Sequence, residues 1–140
     1  MSKGTRPVLL VVDDDAVEVL VVEDDKVTLL MVESILMRAG YAVTTATDGA
    51  AALLAFGQGN FDIVLSDLNM PNLGGMKLLE LLISSGSEVP LIFLTSEKDS
   101  DVEGAALAAG AIDFIRKPVN PEVLLTRVRN GISRVRAVIA

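Results

Sequence analysis

Charged and hydroxyl side chains that could do chemistry together stand at the ends of short apolar runs. Glu23, Asp24 and Asp25 follow "EVLVV", Asp67 follows "DIVLS", Thr95 and Ser96 follow "PLIFL", and Lys117 follows "IDFIR". Carboxylates forced together repel and resist ionisation unless a cation neutralises them. The chain has no cysteine and no histidine, which excludes disulfides, thiolate zinc sites, His-based acid–base catalysis and Ser-His-Asp triads. Any metal must therefore be held by oxygen, and Mg²⁺ is the default hard cation. A cation-bound acid cluster beside a lysine and a hydroxyl can accommodate a phosphoryl group, because cation and ammonium offset its equatorial charge. One carboxylate could then act as nucleophile and form an acyl phosphate. Asp67 is best placed, since it ends the most apolar-flanked central run and precedes the constrained loop Asn69-Met70-Pro71-Asn72-Leu73-Gly74-Gly75.

These residues must be positioned by regular elements. Runs rich in Val, Ile and Leu at 18–22, 42–46, 62–66, 90–94 and 112–116 read as strands. Apolar residues at i, i+3 and i+4 predict helices over 26–38, 48–56, 73–84, 100–109 and 121–137. Gly40, Gly49, Gly59, Gly86 and Gly110 punctuate the joins as helix stops and turn residues. Five-fold strand–helix alternation implies an α/β fold with a parallel sheet and helices on both faces, since each parallel return needs a crossover. In such sheets ligands bind beyond the carboxyl ends of the strands. Four of the five strands deliver a charged or hydroxyl group to that edge; the run ending at Ala46 does not, and suits an outer strand.

A chain of 140 residues allows one domain with a proper core. No apolar run approaches the roughly 20 residues needed to cross a bilayer, and "MSKGTRP" does not open a signal peptide. The expectation is a cytoplasmic protein with no membrane contact. A net charge of −7 argues against a direct nucleic-acid surface. From Arg116 onward six Lys or Arg face one acid, Glu122, which reads as a solvated cationic face on the last helix.

The stretches "VLVVEDD", "VLSDLNMPNLGG", "IFLTS" and "GAIDFIRKP" resemble, in order and spacing, the four signatures of response-regulator receiver domains of two-component signalling. The resemblance runs from about Val17 to about Arg136, and the receiver domain is expected to span 17–138, preceded by an extension over 1–16. It implies a five-stranded flavodoxin-like sheet of order 2-1-3-4-5. It further implies that Asp67 accepts a phosphoryl group from a phosphohistidine on a sensor kinase or phosphotransfer protein. Glu23, Asp24 and Asp67, with the backbone carbonyl of Asn69, would hold Mg²⁺. Thr95 matches the switch hydroxyl, Lys117 the lysine that contacts the phosphoryl group, and Phe114 the aromatic switch position. Asn69 and Glu97 match the positions that tune hydrolysis of the acyl phosphate, and Lys117-Pro118 would be a cis peptide. A downstream protein would be engaged through the face formed by 100–109, 112–116 and 121–137.

The chain departs from the family in one respect. It carries two apolar runs ending in acids, "VLLVVDD" and "VLVVED", where the family has one. The second copy fits: Glu23 precedes Gly40 by the family's spacing, and choosing the first copy would leave "VEVLVV" in a loop at roughly 1.5–3 kcal/mol per exposed branched side chain. The first copy, with Asp13 and Asp14, then becomes a strand-like extension with three open fates: a disordered tail, an added edge strand, or a segment pairing with another molecule, as in a swapped homodimer. Two other function classes compete with a phosphoacceptor that catalyses only its own phosphorylation and dephosphorylation. A Mg²⁺-dependent aspartyl-phosphate phosphohydrolase would want an acid where Asn69 stands. A receiver-like interaction module that is never phosphorylated would not need acids, hydroxyl and lysine together.

Overall fold

A computed structural model describes the backbone of residues 16–139 and the side chains of 16–133. The elements are β1 (Glu18–Val22), α1 (Lys26–Arg38), β2 (Ala42–Ala46), α2 (Gly49–Gln58), β3 (Ile63–Asp67), α3 (Gly75–Ser84), β4 (Leu91–Thr95), α4 (Ser100–Ala109), β5 (Asp113–Arg116) and α5 (Pro121–Ile139). All neighbouring strands are parallel, in the order β2-β1-β3-β4-β5. This is the α/β architecture and strand order that the resemblance implies. The extension over 1–16, with Asp13 and Asp14, lies outside the described residues except for Ala16.

Strand alternation assigns each helix to a face. Val19 and Val21 of β1 point to one side, where Leu29, Val32 and Leu36 of α1 and Leu124, Val128 and Ile132 of α5 close a core with Ile63, Leu65, Ile92 and Leu94. Leu20 and Val22 point to the other, where Ala52 of α2, Leu78, Leu79 and Leu82 of α3 and Ala106 of α4 pack on Val64 and Phe93. β1, β3 and β4 are apolar on both faces because both are covered, so period 2 shows in the side chains' directions and not in their polarity. Each fully buried Leu or Ile contributes about 1.5–3 kcal/mol.

Several boundaries differ from the sequence expectation, for local reasons. α2 starts at Gly49 because Asp48 caps it, its carboxylate accepting from the Ala51 N–H at 2.7 Å. α3 starts at Gly75: the Leu73 N–H is taken by the Pro71 carbonyl at 2.9 Å, which leaves Leu73 and Gly74 in the preceding loop. β4 starts at Leu91, since Pro90 has no N–H to donate and its carbonyl alone joins the sheet, accepting from Val64. A 3₁₀ turn over Glu97–Asp99, not expected, precedes α4. α5 starts as predicted, with Pro121 in its first turn and the Asn120 side chain accepting from the N–H groups of Glu122 and Val123. Gly40, Gly86 and Gly110 adopt positive φ as helix-end residues, whereas Gly49 and Gly59 do not; Gly49 instead admits Leu73 against its Cα. Among the described residues no helix is long and apolar enough to cross a membrane.

Candidate functional site

The one-residue displacement of β3 and β4 makes Asp67 and Thr95 the last residues of their strands, so the sheet itself holds them. Both are buried, as is Glu23, which follows β1. Asp24 is exposed at the rim. Asp25 serves the helix instead of the site. It caps α1, accepting from the Thr28 N–H at 3.0 Å and the Thr28 hydroxyl at 2.6 Å, and these bonds hold its carboxyl below the usual range. Of three consecutive acids, two are therefore left for the site.

Glu23, Asp24 and Asp67 each present a carboxylate oxygen within 4.8 Å of the others. Lys117 Nζ lies 2.8 Å from Glu23 Oε1 and 3.4 Å from Asp67 Oδ1. The Lys117-Pro118 peptide is cis, as the resemblance implies. Glu23 Oε2 accepts the Asp25 N–H at 3.1 Å, and Asp67 Oδ1 accepts the Asn69 N–H at 3.2 Å. The site thus holds three carboxylates against one lysine. Burial, and then the charge of Glu23, push the Asp67 carboxyl up to about 7, against the opposing pull of Lys117. Burial alone would lower the Lys117 ammonium, but Glu23 and Asp67 more than offset it and hold it above the usual lysine value. Oxygen donors at this spacing with an excess of negative charge fit one hard divalent cation.

The loop after β3 is shaped by close approach. A Cβ on Gly75 would stand 2.5 Å from the Asp67 carbonyl oxygen and 2.7 Å from Phe93 Cε1, so only glycine lets α3 begin directly behind the acid. Asn72 in the same loop has φ +68°. Asn69 donates its side-chain amide to Asp99 Oδ1 at 2.5 Å. Asp99 in turn accepts the Ser96 N–H at 2.7 Å and hydroxyl at 2.9 Å. Burial works to raise the Asp99 carboxyl, but the bonds from Ser96 and Asn69 hold it below the usual range. Glu97, which the resemblance pairs with Asn69 in tuning hydrolysis, is exposed at the start of the 3₁₀ turn.

Sequence reasoning missed three residues. Besides Asp99, the Thr95 hydroxyl donates to Glu103 Oε2 at 3.0 Å, and Arg116 grips Glu103 through Nε at 3.2 Å and Nη2 at 2.7 Å. The Arg116 guanidinium carbon also stands 5.8 Å from the half-buried Phe114 ring. One signal was present in the sequence: Glu103 falls three residues before Ala106 on the buried stripe of α4. Three of the cationic residues also form ion pairs: Arg116 with Glu103 at 2.7 Å, Lys117 with Glu23 at 2.8 Å and Arg127 with Asp113 at 3.0 Å.

Comparison with known proteins assigns the fold to a family. A family model described as the response regulator receiver domain matches residues 19–129. Transcriptional regulatory protein PrrA of Mycobacterium tuberculosis is 37% identical over 125 residues, covering 89% of this chain and 49% of that protein. The transcriptional regulatory protein YcbL of Bacillus subtilis is 38% identical over 100 residues, covering 71% of this chain and 43% of its own length. The chain thus spans about half the length of the curated relatives it matches. Among solved structures, a receiver domain protein from Clostridium thermocellum superposes with a TM-score of 0.83 at 29% identity, covering 87% of this chain and 98% of that one. The chemotaxis response regulator CheY4 of Vibrio cholerae does so with a TM-score of 0.76 at 34% identity, covering 83% and 98%. On family match, strand order and the four signatures carried to one sheet edge, the chain belongs to the response regulator receiver domains.

Proposed function

We propose that Asp67 is a phosphoacceptor, taking its phosphoryl group from a phosphohistidine on a sensor kinase or phosphotransfer protein in the cytoplasm. What carries this reading is the convergence of three carboxylate oxygens within 4.8 Å with Lys117 Nζ 3.4 Å from Asp67 Oδ1. An Asp67 oxygen attacks phosphorus, the phosphorus–nitrogen bond to the imidazole breaks as the oxygen–phosphorus bond forms, and the imidazole leaves with a proton. Asp67 must be ionised to attack, and burial beside Glu23 opposes that. Mg²⁺, held by Glu23, Asp24, Asp67 and the Asn69 carbonyl, would supply the neutralising charge that keeps the acids ionised together. Lys117 stands ready to pair with the transferred group, and the Asn69 N–H stabilises the Asp67 anion. The chain acts on no substrate but itself.

Thr95, at the end of the adjacent strand, is the hydroxyl expected to turn to the phosphoryl group, with Phe114 moving inward. The α4-β5-α5 face then changes its affinity for a downstream protein. The test is incubation with Mg²⁺ and acetyl phosphate followed by intact-mass measurement. A single phosphoryl adduct absent from Asp67→Asn is the expected result. No adduct, or turnover of many phosphoesters without one, overturns it.

A further inference from the structure

The Thr95 hydroxyl already has an acceptor before any phosphoryl group arrives. A hydroxyl has one proton to donate, and that of Thr95 goes to Glu103 Oε2 at 3.0 Å, in a place where both residues are buried. Glu103 sits in the first turn of α4, and Arg116 is paired with Thr95 across β4 and β5, so the guanidinium reaches over the strand end to the helix. Its two bonds to Glu103 compensate a carboxylate that burial would otherwise disfavour. Arg116 also stands over the Phe114 ring. One guanidinium therefore touches the acceptor of the switch hydroxyl and the switch aromatic.

We propose that Glu103, clamped by Arg116, is a positioning residue that holds the Thr95 hydroxyl away from Asp67 and so sets the threshold of the switch. The proposal rests on the phosphoacceptor reading of Asp67. Thr95 cannot give its one proton to Glu103 and to a phosphoryl oxygen at once, so the two acceptors compete. Glu103 keeps both Arg116 bonds when Thr95 leaves, so the release strands no buried charge and the device is reversible. Its cost is one charge-assisted hydrogen bond, which opposes activation by roughly tenfold. Departure of Thr95 also leaves Arg116 as the only partner of Glu103 in this network, coupling the hydroxyl to the guanidinium over Phe114.

The test uses the full chain with Mg²⁺ and beryllofluoride as the phosphoryl probe, titrated by NMR on the Thr95 methyl and Phe114 ring resonances. Glu103→Gln, which keeps the shape but weakens the acceptor, should tighten beryllofluoride binding roughly tenfold. It should also move the Thr95 resonance of the unliganded protein towards its bound position. In a Thr95→Val background the same substitution should change the affinity little, because no hydroxyl remains to be held. An effect of Glu103→Gln that is absent, or that persists unchanged in Thr95→Val, overturns the latch and leaves a plain helix–strand ion pair. Should Glu103→Gln not fold, Glu103→Asp, which keeps the charge but shortens the reach to Thr95, must give the same direction of change or the latch falls. Wild type that takes up no beryllofluoride overturns the phosphoacceptor reading itself, and the latch with it.

Discussion

Lys117 lies closer to Glu23 than to Asp67, at 2.8 Å against 3.4 Å, and Glu23 is wholly buried. In the resting protein the lysine is therefore first a counter-ion for Glu23 and only second a neighbour of the acceptor. Arrival of a phosphoryl group at Asp67 would offer it a more highly charged partner a short distance away.

Lys117→Met should cost about 2–4 kcal/mol in urea unfolding, because it leaves the Glu23 carboxylate buried without its cation. Adding Glu23→Gln should recover much of that loss. Equal stability of the single and double variants would show that the pair is not what holds the site together.

Stability in EDTA should fall as pH rises through the window set by Asp67. The carboxyl titrates near 3.8 in the unfolded chain and at about 7 in the folded one. Between those values the folded protein keeps a proton that the unfolded chain has lost, so the stabilisation is full below 3.8 and gone above about 7. Because Asp67 shares this titration with Glu23 and Lys117, the loss is on the order of 1–2 kcal/mol. Asp67→Asn should flatten this slope and be more stable than wild type at pH 8; a parallel pH profile in the variant would contradict it.

Mg²⁺ should offset that slope. At a tenfold excess over its dissociation constant it stabilises the fold by about 1.4 kcal/mol. The gain in melting temperature should be larger at pH 8 than at pH 5, where the Asp67 proton competes with the metal. Asp24→Asn should cut the gain, since Asp24 is one of the three clustered acids. A gain of the same size at both pH values, or an undiminished one in Asp24→Asn, would argue for binding elsewhere.

Gly75→Ala should destabilise by about 1–3 kcal/mol and slow labelling by acetyl phosphate, because the added methyl meets the Asp67 carbonyl and the Phe93 ring. Gly104→Ala, in the exposed interior of α4 with nothing within 4 Å of the new methyl, should instead stabilise by about 0.5–1 kcal/mol. Urea midpoints of the two variants moving in the same direction would refute the close-approach account.

Asp99→Ala should lengthen the lifetime of the phosphorylated form by about 3- to 10-fold, since Asn69 loses the bond that orients its side chain for an attacking water. Glu97→Ala should change it less, Glu97 being exposed at the start of the 3₁₀ turn. The decay of the intact-mass adduct after removal of phosphodonor measures both. A larger effect at Glu97 than at Asp99 would show that Asn69 does not depend on Asp99 for its orientation.

The sequence by itself determined the five strands, the helices that return between them and the acids, hydroxyl and lysine that end on one sheet edge. Those signals are local: β-branched runs make strands, apolar residues at helical spacing make helices, and strand ends share an edge once all strands are parallel. The placing of Glu23 and Asp24 beside Asp67 was also legible, because α1 follows them directly and buries its face against β1.

Tertiary structure alone decided the rest, because the partners stand on different elements. Asn69 and Asp99 are 30 residues apart, and Glu103 and Arg116 are 13 apart across a helix–strand junction. No periodicity encodes such pairs; they exist only once parallel register sets Asp67 beside Leu94 and Arg116 beside Thr95. Burial likewise arises only from packing both faces of the sheet, and it is burial that raises Asp67 and obliges Lys117 to serve Glu23.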